Sequence, residues 1–231
     1  MNSPDEGRLE RTAALLGEAS TMRLGGARAL VVGVGGVGGW CAEALARTGI
    51  GSITVMDDDT VAPSNLNRQC PALVSTLGQP KVEAMKARLE AISGDIEVAA
   101  DSRRYRADSD FHDLAGFDVV VDAIDSVDCK AALILNAFEA GVPVISSMGA
   151  AFRTDPTRVK ITRFDKVEGD GLAKALRTRF RRLERYPGKF ECVWSDEPKV
   201  QCAGDAKGSV MQVTATFGMC LAAAAIKTLL K

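Results

Sequence analysis

The spacing of hydrophobic positions changes repeatedly along the chain. Short apolar runs at 27–32, 52–57, 96–100, 118–124 and 142–147 end at small or acidic residues. They read as buried parallel strands. Between them the apolar residues fall at helical spacing. A helix over 36–48 turns Trp40, Ala44 and Leu45 toward the core, one over 81–92 buries Val82, Met85, Leu89 and Ile92, and a third covers 130–140. Strands alternating with helices predict an α/β fold: a doubly wound, mainly parallel sheet with helices on both faces. Beyond residue 150 the pattern differs. Val159 and Ile161 alternate with Lys160 and Thr162, as in a half-exposed strand over 158–164. Over 171–185, Leu172, Leu176, Phe180 and Leu183 form one helical face and Lys174, Arg177, Arg181 and Arg185 another. The last apolar stretch, 210–230, contains Ala222–Ala225 and Lys227. It reads as a buried terminal helix rather than a membrane span. The organisation is thus a partly mobile helical arm (1–26), a core (27–150) and a C-terminal extension (151–231), the last two forming one domain.

Composition narrows the class only a little. The 231 residues are 46% hydrophobic and 26% charged, enough for one large soluble domain. The net charge of −1 is uninformative, but its distribution is not. Residues 151–189 hold twelve Lys/Arg and five Asp/Glu, a net of +7, leaving −8 elsewhere. One surface therefore suits an anionic partner. The opening Met-Asn-Ser-Pro-Asp-Glu lacks the basic-then-apolar pattern of a signal peptide, so a cytoplasmic location is expected. The six cysteines form no CxxC pair, which argues for reduced thiols and against structural zinc.

The first run stops at Gly33, and Gly33, Gly35 and Gly38 make a GxGxxG loop that opens a helix, with Gly36 inside it. Glycines there allow a tight turn and let backbone N–H groups reach phosphates at a helix N-terminus. Asp57 ends the next strand 19 residues after Gly38, where a carboxylate accepts from ribose hydroxyls. The fold expected is Rossmann-like. The loop alone does not separate NAD from ATP.

The following segments do. Asp57-Asp58-Asp59-Thr60-Val61 leads into Ser64-Asn65-Leu66-Asn67-Arg68-Gln69, then Gly78-Gln79-Pro80-Lys81, and later Val121-Asp122-Ala123-Ile124-Asp125-Ser126. Arg68 and Lys81 can neutralise a triphosphate, and Asp125 can hold Mg²⁺. A dehydrogenase has no need of this set. GxGGVG, DxDxVxxSNLxRQ, GxPK and the strand-end Asp, in this order, resemble the ThiF-like superfamily, which includes ubiquitin-activating enzymes. The resemblance implies that Asp57 binds ribose, that Asn65 and Arg68 bind phosphates and that Lys81 stabilises the transition state at the α-phosphorus. It implies that Asp125 organises Mg²⁺, with Asp59 and Ser126 among the nucleotide contacts. A carboxylate then attacks ATP, releasing pyrophosphate and leaving an acyl-adenylate.

Within that superfamily the segments 44–51, 122–134 and 213–218, with Cys192-Val193-Trp194-Ser195, are similar to the tRNA threonylcarbamoyladenosine dehydratases. The resemblance implies activation of a carboxylate on adenosine 37 of tRNA, followed by ring closure and release of AMP. It also implies a homodimer and sulfur-relay proteins as further partners. Lys174, Arg177, Arg181 and Arg185 are the candidate tRNA contacts on grounds of charge. In related dimers an N-terminal Arg reaches the partner's ATP, and Arg8 or Arg11 is the candidate here. Ring closure needs no thioester, so Cys192 is expected to be a packed thiol. His112, the only histidine, receives no role. The alternative reading is adenylation of the C-terminal glycine of a ubiquitin-like sulfur carrier. A nucleotide fold kept as a scaffold is a further one, against which the intact Arg68, Lys81 and Asp125 speak.

Overall fold

Because side chains along a strand alternate in direction, a central strand feeds two cores at once. The computed structural model describes residues 7–106, 108, 114–201 and 207–231; His112 lies outside them. The strands are β1 (Arg28–Val32), β2 (Ser52–Met56), β3 (Glu97–Asp101), β4 (Val119–Asp122), β5 (Val144–Ser147), β6 (Val159–Arg163) and β7 (Glu191–Ser195). β1 sends Ala29 and Val31 to one core and Leu30 and Val32 to the other. The seven strands form one sheet in the order β3-β2-β1-β4-β5-β7-β6. Every pairing is parallel except that of β6 with β7.

The helices are α1 (Glu10–Leu16), α2 (Glu18–Gly25), α3 (Gly38–Thr48), α4 (Lys81–Glu90), α5 (Val127–Glu139), α6 (Gly171–Leu183) and α7 (Met211–Leu229). One core packs α3, α4 and α7 on the sheet, joined by Leu24 of α2. The other is covered by α5 and α6. α7 contributes Val213, Phe217, Leu221, Ala224 and Ala225 to the first core. Half of its apolar window is buried, in keeping with a buried terminal helix.

Four departures from the sequence reading have local causes. β4 ends at Asp122, not at 124, because the Asp122 carboxylate accepts from the Ile124 N–H at 3.1 Å and turns the chain. β6 is the outermost strand, paired with β7 alone, so its alternation meets no complete buried face: Ile161 is 41% exposed. β7 gives no periodic signal, since Cys192, Val193 and Trp194 are all buried; a strand buried on both faces does not alternate. α6 stops at Leu183 because Glu184 takes a left-handed conformation, φ 52, and caps it.

Candidate nucleotide and catalytic site

The strand order reverses between β1 and β4, and a crevice opens there beyond the carboxyl ends of the strands. It is a cavity of about 610 Å³. Gly33, Gly35 and Gly36 line it, together with Asp57, Asp59, Asn65, Arg68, Lys81, Asp125 and Ser126. Gly33 sits at φ 88, and a Cβ on it would lie 2.8 Å from the Ala123 carbonyl oxygen. Gly38 has a different task from the one its place in the motif suggests. It does not line the cavity; a Cβ there would stand 1.8 Å from the Gly33 carbonyl oxygen, so it permits the loop to close on α3. α3 begins at Gly38, which places its N-terminus beside the loop, a favourable place for phosphate.

Asp57 is held in place by the backbone. Its Oδ2 accepts from Val34 N–H at 2.8 Å and its Oδ1 from Asp59 N–H at 2.9 Å. Burial pushes its carboxyl above the ordinary carboxylate value, while the charge of Lys81 pulls the other way. Lys81 is only 5% exposed, and its Nζ lies 2.6 Å from Asp59 Oδ2. Asp59 is thus the counter-ion of Lys81 in this structure. Arg68 donates through one terminal nitrogen to Ser64 O at 2.9 Å and Asn67 Oδ1 at 2.8 Å, while Trp40 Nε1 donates to the Arg68 carbonyl at 2.9 Å. Buried Asn65 accepts from Ala62 N–H at 3.0 Å and so fixes the turn that carries Arg68. The side chain of Asp125 is 88% exposed and lies 3.6 Å from Lys207 Nζ.

Several contributors escape sequence reasoning. Asp122, the true end of β4, is fully buried and accepts from Lys130 Nζ and from Ser146 Oγ, each at 2.6 Å. This buried pair ties α5 and β5 to the strand that leads to Asp125. Arg104, Lys199 and Lys207 add cations to the cavity wall. Buried Glu43 receives Arg47 and Arg88, at 2.6 and 2.8 Å, and so links α3 to α4, the helix of Lys81. Cys192 is fully buried, and burial pushes its thiol up to about 12, as befits a packed thiol.

The candidates on α6 divide. Lys174 and Arg181 are exposed. Arg177 instead turns inward, donating to Phe164 O at 2.9 Å and Val167 O at 2.7 Å, with its guanidinium 5.0 Å from the Phe164 ring centre. Arg185 pairs with Glu139. Lys174, Arg179 and Arg182 line a groove between α5 and α6. At the N-terminus Arg8 donates to the Ala46 carbonyl at 3.1 Å, whereas Arg11 is exposed.

A reversed strand order, a glycine loop opening a helix and a carboxylate just after the second strand define the class of a Rossmann-like nucleotide-binding protein. The chain belongs to the ThiF family, which it matches over residues 9–231. It is 40% identical over 202 residues to the tRNA threonylcarbamoyladenosine dehydratase of Bacillus subtilis, covering 87% of this chain and 79% of that one. The structure is similar to that of the Escherichia coli tRNA N6-threonylcarbamoyladenosine dehydratase in complex with AMP, with a TM-score of 0.92, 37% identity and coverage of 99% and 96% of the two chains. It is also similar to the same protein in complex with ATP, at a TM-score of 0.91 and 36% identity, again covering 99% and 96%.

Proposed function

We propose that this protein catalyses the ATP-dependent dehydration of N6-threonylcarbamoyladenosine in tRNA. The observation that carries the reading is the convergence of Arg68, Lys81 and Asp125 on one cavity with the glycine loop and Asp57. The threonylcarbamoyl carboxylate attacks the α-phosphorus of ATP, a P–O bond forms, and pyrophosphate leaves. An atom of the same substituent then attacks the acyl carbon, the ring closes and AMP departs, for a net loss of water. Asp57 accepts from the ribose, the loop N–H groups hold phosphate, and Arg68 and Lys81 neutralise the charge that builds at the α-phosphorus. Asp125 presents a carboxylate to the same cavity, a hard donor of the kind that holds Mg²⁺ together with substrate phosphates. The bound ion would lower the charge of the triphosphate.

The protein acts as a homodimer in the cytoplasm. Leu66, Leu73 and Val74 are exposed on the segment that carries Arg68, as an interface would leave them in one separated subunit. Arg8 is engaged within its own chain, so Arg11 is the arginine that reaches the partner's nucleotide. Light scattering at micromolar concentration is expected to give twice the chain mass.

Mass spectrometry of tRNA nucleosides after incubation with protein, ATP and Mg²⁺ tests the activity. The expected product is lighter than its substrate by one water and appears with AMP. Unchanged nucleosides, with ATP consumed only when a carrier protein is supplied, would overturn the reading.

A further inference from the structure

One wall of the cavity is explained neither by the nucleotide nor by the cations at the α-phosphorus. It is built from the chain after β5 and the chain before α7, and includes Ala151, Phe152, Lys199, Lys207 and Ser209. Phe152 is the unusual member. Among the described residues only Phe152, at φ 63, and Glu184, at φ 52, combine a side chain with a positive φ. Glu184 caps a helix, where this conformation is ordinary. A bulky aromatic in mid-loop has no such excuse, and glycine or asparagine would adopt the same backbone more easily. Both backbone groups of Phe152 are pinned. Its N–H donates to Gly208 O at 2.8 Å, and its carbonyl accepts from Val200 N–H at 2.9 Å. The backbone is therefore held from both sides, Phe152 lines the cavity, and Lys199 Nζ lies 5.4 Å from the ring centre.

The position of this wall decides what it meets. β2, which carries Asp57, and β5, which precedes Phe152, lie on opposite sides of β1 and β4. Three strand spacings separate them, about 14 Å. A nucleotide whose ribose is held at Asp57 and whose phosphates are held at the glycine loop does not bring its own adenine to Phe152. The second reactant has to approach from this side. A strained residue kept at a binding site points to a use for its side chain. An aromatic face beside an ammonium suits a ligand with a flat π system and a negative charge. Bases splayed out of RNA loops are read by stacking on aromatic side chains, and a base must leave its stack to reach a reaction centre inside a cavity.

We propose that Phe152 is the platform on which the acyl-bearing purine of the substrate stacks, with Lys199 neutralising the RNA phosphate beside it. The inference rests on the tRNA reading above and adds to it the specificity-determining residue for the nucleobase.

Steady-state kinetics test it, using a stem-loop RNA that carries N6-threonylcarbamoyladenosine, with ATP saturating. Phe152→Gly removes the ring and relieves the backbone. KM for the RNA is expected to rise on the order of tenfold to a hundredfold, the effect of losing one base–aromatic stack. KM for ATP should stay within about twofold, since that end of the cavity is untouched. The thermal midpoint should hold or rise, which a structural role for the ring would not allow. Phe152→Asn, which also tolerates the positive φ, serves as a second variant and should behave alike, while Phe152→Tyr should retain the wild-type KM. Lys199→Gln should make the salt dependence of RNA binding shallower by about one unit of log–log slope. A wild-type RNA KM in Phe152→Gly or Phe152→Asn overturns the platform and leaves the tRNA reading standing. A wild-type protein that binds ATP but never converts the RNA overturns the tRNA reading, and the platform with it.

Discussion

Lys81 shows how much of the chemistry is prepared before any ligand arrives. Its ammonium is already out of water and fixed against Asp59, so in the proposed reaction it would need no reorganisation when charge develops at the α-phosphorus. Lys81→Ala should therefore slow adenylation by about 10²–10³-fold, with a smaller effect on ATP affinity. Single-turnover release of AMP and calorimetry with ATP measure the two separately, and a near wild-type rate would remove Lys81 from the chemistry. Lys81 was legible in the sequence because its motif is local, as are those of Gly33, Asp57, Arg68 and Asp125. Lys130 was not legible. It reads as an ordinary helix residue, because its partners Asp122 and Ser146 come from two different strands and no short window contains all three. Arg177 misleads for a related reason. At helical spacing it belongs to a basic stripe, but the segment preceding α6 offers the Phe164 and Val167 carbonyls within its reach.

At the level of elements, that segment divides the roles of α6. Arg177→Ala should lower stability by about 1–3 kcal/mol, since hydrogen bonds to charged groups contribute in that range, and thermal unfolding will show it. Changing Lys174, Arg179 and Arg182 together to Gln should leave thermal unfolding nearly unchanged while weakening tRNA binding and flattening its salt dependence. Unaltered tRNA affinity would make the α5–α6 groove an ordinary solvated face. The β6–β7 edge makes a different prediction, through Asp196. Lys160 and then Arg158 hold its carboxyl down at about 2. A carboxyl lowered on folding stabilises above its ordinary value and loses that contribution as pH falls toward its folded value. The difference in urea midpoint between wild type and Asp196→Asn should therefore be present above about pH 4 and shrink toward pH 2. It should be small throughout, because the pair is exposed.

For the whole molecule, periodicity was a good guide to the central sheet and a poor one to its far edge. The runs that became β1, β2 and β5 are apolar and end at residues that stop strands, whereas in β7 three buried apolar residues stand between Glu191 and Ser195, and β6 lies at the rim with Ile161 in solvent. The site depends on all of this, since its walls come from segments between Val32 and Thr214. The pairing of Asp122 with Lys130 also supplies a gauge of that integrity. The Lys130 amine is fully buried between the central strands and α5, so an amine-acylating reagent reaches it only when the sheet opens. Its labelling rate, followed by peptide mass spectrometry, should track global unfolding across a urea series. Lys81, 5% exposed on the cavity wall and paired with Asp59, should be labelled slowly without nucleotide and without opening of the sheet, and more slowly still as ATP fills the site. Two lysines of one chain would then report, in a single digest, how often the protein opens and how often its site is filled.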